Sequence, residues 1–253
     1  MIGIYFSGTG NTRYCLEKFV AAYDNSAEKI ALETPGVMKH IKENQDIILA
    51  YPIYYSNLPK IVDDFIGKNR MLWKGKKIYI IATMGLFSGD GAGLAARLLR
   101  KYGAKIVGGL HLKMPDCICD VKALKRSEQE NRDIVAATNN KILIAAEQLK
   151  HDRPTQEGLN FFYHVTGLLG QRLWFYRKTR NYTDELHINE ESCIGCGKCA
   201  CVCPMDNISI SDHKAISSGQ CTMCYRCINL CPKKAITLIG KRVIAQHTIK
   251  DYL

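Results

Sequence analysis

The chain has 253 residues, 47% of them hydrophobic, with 35 Lys and Arg against 24 Asp and Glu and a formal net charge of +11. That composition excludes wholesale disorder, and no run approaches the ~18 apolar residues of a membrane span. Without a basic leader or a small-residue cleavage site, the expected location is cytoplasmic. A reducing compartment excludes a disulfide scaffold for the twelve cysteines, which leaves metal or redox chemistry.

Ile2–Phe6 reads as a first strand, and Lys29–Leu32, Asp46–Tyr51, Lys77–Ala82 and Ala104–Leu112 are further short, β-rich apolar runs. Helical patterns lie between them. In Thr12–Tyr23 the residues Cys15, Leu16, Phe19, Val20 and Tyr23 share one face, and Ile61–Gly67, Gly91–Tyr102 and Ser127–Leu149 read similarly. The stretch after Leu32 shows no clear element. Alternating strands and helices predict βαβ units around a parallel sheet over residues 1–150, and the pattern stops near Asp152–Thr155. The basic excess is shared by both halves and accompanies no nucleic-acid motif, so no nucleic-acid partner is expected.

The turn leaving the first strand is Ser7-Gly8-Thr9-Gly10-Asn11-Thr12. Its glycines permit close backbone approach, and the amides of the following helix start favour an anion. A P-loop is excluded because no Gly-Lys-Ser/Thr ends the turn. A dinucleotide fingerprint fits Gly8 and Gly10 but meets Arg13 at its third position, which leaves Glu33 a decoy for the ribose acid. The hydroxyl-rich turn instead resembles the phosphate loop of flavodoxins. Two further loops follow the third and fourth strands: Pro52, Ile53, Tyr54 and Tyr55 in one, Thr83, Gly85 and Phe87 in the other. The resemblance implies a five-stranded sheet of order 2-1-3-4-5 with FMN at the carboxyl edge. There the tyrosines and Phe87 are placed to stack on the isoalloxazine or to serve as packing.

Cys193-x-x-Cys196-x-x-Cys199-x-x-x-Cys203-Pro204 recurs 28 residues later as Cys221-x-x-Cys224-x-x-Cys227-x-x-x-Cys231-Pro232. Three closely spaced thiolates wrap three corners of one [4Fe–4S] cube, and the fourth cysteine, held before proline, serves the other. This assigns Cys193, Cys196, Cys199 and Cys231 to one cluster, and Cys221, Cys224, Cys227 and Cys203 to the second. Structural zinc is the alternative, but zinc usually joins two separated knuckles rather than three consecutive thiolates and a Cys-Pro. Residues 187–240 thus resemble a small α+β bacterial two-cluster ferredoxin. Cys201 reads as a buried filler. Cys117 and Cys119, after the fifth strand, fall on the ligand edge.

Residues 151–186 form a linker whose segment Leu159–Arg180 is aromatic and basic. Its composition favours packing on the first domain over contact with a membrane surface. A short tail, 241–253, closes the chain. Together the two modules resemble the flavodoxin–ferredoxin fusion proteins of anaerobes. That resemblance implies an electron carrier coupling two-electron FMN to one-electron clusters. The alternative is an FMN-dependent reductase of a small organic acceptor, with its catalytic residues unassigned. Basic residues including Lys198, Arg226, Lys233 and Lys234 predict an acidic redox partner such as a separate ferredoxin.

Overall fold

A computed structural model of the chain describes residues 1–55, 57–86, 89, 91–160 and 185–253. Five parallel strands form one sheet in the order β2-β1-β3-β4-β5: β1 Ile2–Tyr5, β2 Glu28–Ala31, β3 Asp46–Pro52, β4 Lys77–Met84 and β5 Lys105–Lys113. Both faces are covered, as an all-parallel sheet requires. Along β3 the side chains alternate. Ile47, Leu49 and Tyr51 join a core with α2 (Val37–Glu43), α3 (Lys60–Lys68) and α4 (Gly91–Lys101), whereas Ile48 and Ala50 join a core with α1 (Asn11–Tyr23) and α5 (Glu128–Lys150). This is a flavodoxin-like doubly wound fold with the expected strand order.

Helix α2 fills the stretch in which the sequence shows no element. It starts at Gly36, whose φ of 86° suits a residue without a β-carbon, and buries only Val37 and Ile41. Seven residues with two buried side chains are too little periodicity to read. Helix α5 is marked more strongly, by a capping box in which Ser127 and Glu130 satisfy each other's backbone amides. The chain beyond α5 stays on the sheet: Gly109 donates to the Thr155 carbonyl, and Glu157 donates back to Gly109. Of the aromatic and basic segment Leu159–Arg180, for which packing is expected, all but Leu159 and Asn160 lie outside the described residues.

Residues 187–237 form a second unit from two copies of one motif. Strand β6 (His187–Ile188) pairs antiparallel with β9 (Ile236–Thr237), and β7 (Ile208–Ser211) pairs with β8 (Lys214–Ser217). Short helices α6 (Lys198–Cys201) and α7 (Arg226–Leu230) sit at equivalent places in the two copies. The repeat extends to single atoms. Asn207 N donates to Cys203 Sγ and Ala235 N to Cys231 Sγ, each at 3.3 Å and 28 residues apart. Beyond this unit the C-terminal residues return to the first domain, where Ile249 N donates to the Thr9 carbonyl.

Candidate functional site

A cavity of about 260 Å³ opens at the carboxyl edge of the sheet, beside the switch point between β1 and β3. Gly8, Thr9, Asn11 and Thr12 form its floor, Pro52 to Tyr55 one wall, and Thr83 and Gly85 another. Gly10 reaches φ 101° to start α1, and Ile249 lies 2.6 Å from where its β-carbon would stand. The hydroxyls of Thr12 and Thr83 meet at 2.7 Å, and Asn11 donates to the Pro115 carbonyl, so part of the floor is already braced. Ser7 lies just behind it. Phe87 lies outside the described residues.

Eight cysteines surround two smaller enclosed cavities. Cys193, Cys196, Cys199 and Cys231 line one, with Ile194, Lys198 and Lys233; Cys203, Cys221, Cys224 and Cys227 line the other, with Leu186 and Tyr225. Each cavity therefore takes three thiols from one repeat and the fourth from the other. Among the described residues, no three Cys, His, Asp or Glu side chains converge tightly enough for a single ion. Thiols spread around a cavity suit a cube of iron and sulfide better than one zinc. Burial pushes the Cys221 thiol up to about 11 and that of Cys224 to about 12, so bulk water does not stabilise their charged forms.

The two modules meet at the turn after β1. The carbonyl of Cys224 abuts Gly8 so closely that no β-carbon fits there. Arg226 donates twice to the Ser7 carbonyl, at 2.9 and 2.7 Å, pairs with Glu33, and lies 5.3 Å over the Phe6 ring. This corrects one sequence reading: Arg226 is a largely buried anchor rather than a surface charge that attracts a partner. Glu33, set aside in the sequence as a decoy for a ribose acid, has the anchoring guanidinium as its partner. Tyr54 packs into the first domain's core and the cysteine module's core alike.

Met223 and Tyr225 are site residues that sequence reasoning missed. Both line the large cavity, and Tyr225 also lines the cavity of Cys203, Cys221, Cys224 and Cys227. Their φ angles, 61° and 59°, are left-handed, and the first repeat carries glycines, Gly195 and Gly197, at the matching positions. A non-glycine residue there costs on the order of 1–2 kcal/mol. Tyr225 is held by a buried 3.0 Å hydrogen bond to Asp120. The departure of the second repeat from the first's glycines was the signal available in sequence. Met114, Asp116 and Cys117, after β5, also line the large cavity, whereas Cys119 does not. Cys201, expected to be buried, is exposed.

A family model described as a flavodoxin domain matches residues 2–107, and one described as a 4Fe-4S dicluster domain matches residues 185–241. The chain is a flavodoxin–ferredoxin fusion. Similar solved structures include the two-electron reduced flavodoxin of Megasphaera elsdenii, 25% identical, with a TM-score of 0.40, covering 46% of this chain and 89% of that one. The Trp repressor binding protein of Bacillus subtilis is 22% identical, with a TM-score of 0.43, covering 59% and 96%. A Fusobacterium nucleatum flavodoxin bound to flavin mononucleotide is 18% identical, with a TM-score of 0.41, covering 60% and 97%. No curated protein matches the chain.

A flavodoxin domain implies FMN, and the 4Fe-4S domain implies iron–sulfur clusters; together they make the chain an electron-transfer flavoprotein. The flavodoxin domain suits a phosphorylated flavin. Two buried hydroxyls of the loop region, Ser7 Oγ and Tyr54 OH, have no hydrogen-bond partner, and a phosphate supplies several acceptors. Among the described residues, no helix is long and apolar enough to cross a membrane.

Proposed function

We propose that the chain passes electrons between FMN and two [4Fe–4S] clusters in a fixed spatial order. Gly8, Thr9, Asn11 and Thr12 hold the FMN phosphate, while Tyr54 and Tyr55 flank the ring. Cys203, Cys221, Cys224 and Cys227 hold the cluster nearer the flavin; Cys193, Cys196, Cys199 and Cys231 hold the outer one. The carrying observation is Tyr225, one side chain walling both the flavin cavity and the cavity of Cys203 and its partners. The other cysteine cavity has exposed Cys196 and Ile194 at its rim and shares no lining residue with the flavin cavity. That outer end, with exposed Lys198, Lys233 and Lys234, suits an acidic one-electron protein partner. Bound FMN stores two electrons and each cluster carries one, so the assembly converts between the two kinds of carrier.

Anaerobic reconstitution tests this reading. One FMN and eight iron atoms per chain are expected, with a reduced one-electron donor bleaching cluster absorbance before flavin absorbance. Four irons per chain, or flavin reduction that is equally fast without clusters, would refute it.

A further inference from the structure

A second cavity of about 250 Å³ lies beside the flavin cavity, between the loop after β5 and the returning C-terminal strap. Its lining includes exposed Lys125, Glu128 and Asp251, so it opens to water. Asp116, Ile118 and Leu124 belong to both cavities, and among the described residues Asp116 is the one titratable side chain that they share. We propose that Asp116 carries a proton from water in this second cavity to the flavin cavity, supplying the protons that two-electron reduction of FMN consumes. The inference rests on the functional reading above and deepens it.

The need for such a residue follows from the balance FMN + 2 e⁻ + 2 H⁺ → FMNH₂. Iron–sulfur clusters deliver electrons one at a time and bring no proton, so each proton comes from a side chain or water at the flavin. The docked cysteine module covers part of the flavin cavity with Met223 and Tyr225, and Asp116 lies on the side where the second cavity adjoins it. Asp116 Oδ1 accepts from the Ile118 amide at 3.0 Å, while Oδ2 lies 2.5 Å from where a β-carbon on Gly85, a residue of the flavin cavity wall, would stand. One oxygen is thus fixed and the other fills the space beside the backbone of Gly85.

Charges around the carboxyl suit a group that gives up and regains a proton. Burial pushes the Asp116 carboxyl up, toward its neutral form. Two groups facing it favour the charged form and limit that shift: the Arg126 guanidinium, just ahead of α5, and the His247 imidazole, from the C-terminal strap. Arg126 donates to the Gly85 carbonyl and leaves Nη1 without a partner. His247 is seated on the loop itself, with Nε2 facing the Asp116 carbonyl. The third neighbour, the Cys117 thiol, is pushed up by burial and then by Asp116, so it stays neutral and does not compete. When Asp116 loses its proton to the flavin side, Arg126 and His247 stabilise the carboxylate until water in the second cavity restores it.

The test uses full-length protein loaded with FMN and clusters, reduced in a stopped flow by reduced methyl viologen, a one-electron donor carrying no proton. A pH-indicator dye reports proton uptake. Asp116→Asn keeps the shape and the Ile118 hydrogen bond, and proton uptake should slow by about 100-fold, the usual contribution of a positioned acid. Cluster bleaching should be unchanged. Formate, a weak acid small enough to enter the second cavity, should restore uptake in the variant in proportion to its concentration. Infrared difference spectra of the wild-type protein should show a carboxylic-acid band that changes during reduction. Uptake at the wild-type rate in Asp116→Asn overturns the inference, as does slow uptake that formate does not restore. Absence of the carboxyl band in wild-type spectra overturns it without need of the variant. A chain that binds no FMN overturns the functional reading and this inference with it; unchanged uptake in FMN-loaded protein overturns the inference alone.

Discussion

Replacing Arg226 with Met should loosen the seam between the two domains. The guanidinium makes two hydrogen bonds to the Ser7 carbonyl and pairs with Glu33, and the two side chains are 19% and 24% exposed. Glu33 Oε2 already lacks a partner. Removing the cation leaves a largely buried carboxylate unpaired and a carbonyl short of two donors. Breaking a fully buried pair costs about 3–5 kcal/mol; with a fifth of each side chain exposed, about 2–4 kcal/mol is expected here. For a chain of this size that corresponds to a melting shift of roughly 5–15 °C. The assay is anaerobic thermal unfolding of the loaded protein, read by release of FMN fluorescence. Glu33→Gln in the same background should recover part of the loss, because the orphaned charge disappears, with a coupling of about 1–3 kcal/mol. A cost under about 0.5 kcal/mol for Arg226→Met, or strict additivity with Glu33→Gln, would refute the buried anchor.

Thr9→Val should weaken FMN binding roughly ten- to a hundredfold and leave riboflavin binding unchanged, since one hydrogen bond to a charged group contributes about 1.5–3 kcal/mol; equal losses for both flavins in fluorescence titrations would sink the phosphate cage. Cys203→Ser and Cys231→Ser should each damage a different cluster, the first the one nearer the flavin, and paramagnetic resonance of the reduced variants shows which signal survives. Gly8→Ala should separate the domains, because its β-carbon would stand against the Cys224 carbonyl; faster hydrogen exchange confined to the seam is the expected reading, and unchanged exchange would contradict it. Electron transfer from an acidic ferredoxin should slow steeply as salt rises, and charge reversal at Lys233 and Lys234 should flatten that dependence.

Much of this protein is written locally. The central strands β3 and β4 are near-continuous apolar runs because both faces of a parallel sheet are covered, and a run such as Ile47 to Tyr51 shows this without reference to anything distant. The cysteine spacing is equally local, since three thiols within seven residues already define one corner-binding loop. The repeat at 28 residues then pairs each fourth cysteine with the other copy. The parallel sheet follows from strand–helix alternation, whereas its strand order comes only with the resemblance to flavodoxins that the turn after β1 carries.

What the sequence left open depends on residues far apart in the chain. Arg226 reads as one more basic residue until the fold brings it to Ser7, 219 positions away. Tyr225 and Met223 adopt backbone angles that local preference assigns to glycine. The packing of the second repeat against the flavodoxin domain, with Asp120 holding the Tyr225 hydroxyl, offsets that strain. Asp116 gains its place between two cavities only when the C-terminal strap closes over the loop after β5. Short-range periodicity records which residues face a core. Which core meets which is settled by contacts whose partners share no local pattern, and in this chain those contacts place the cysteine module against the cavity at the carboxyl edge of the sheet.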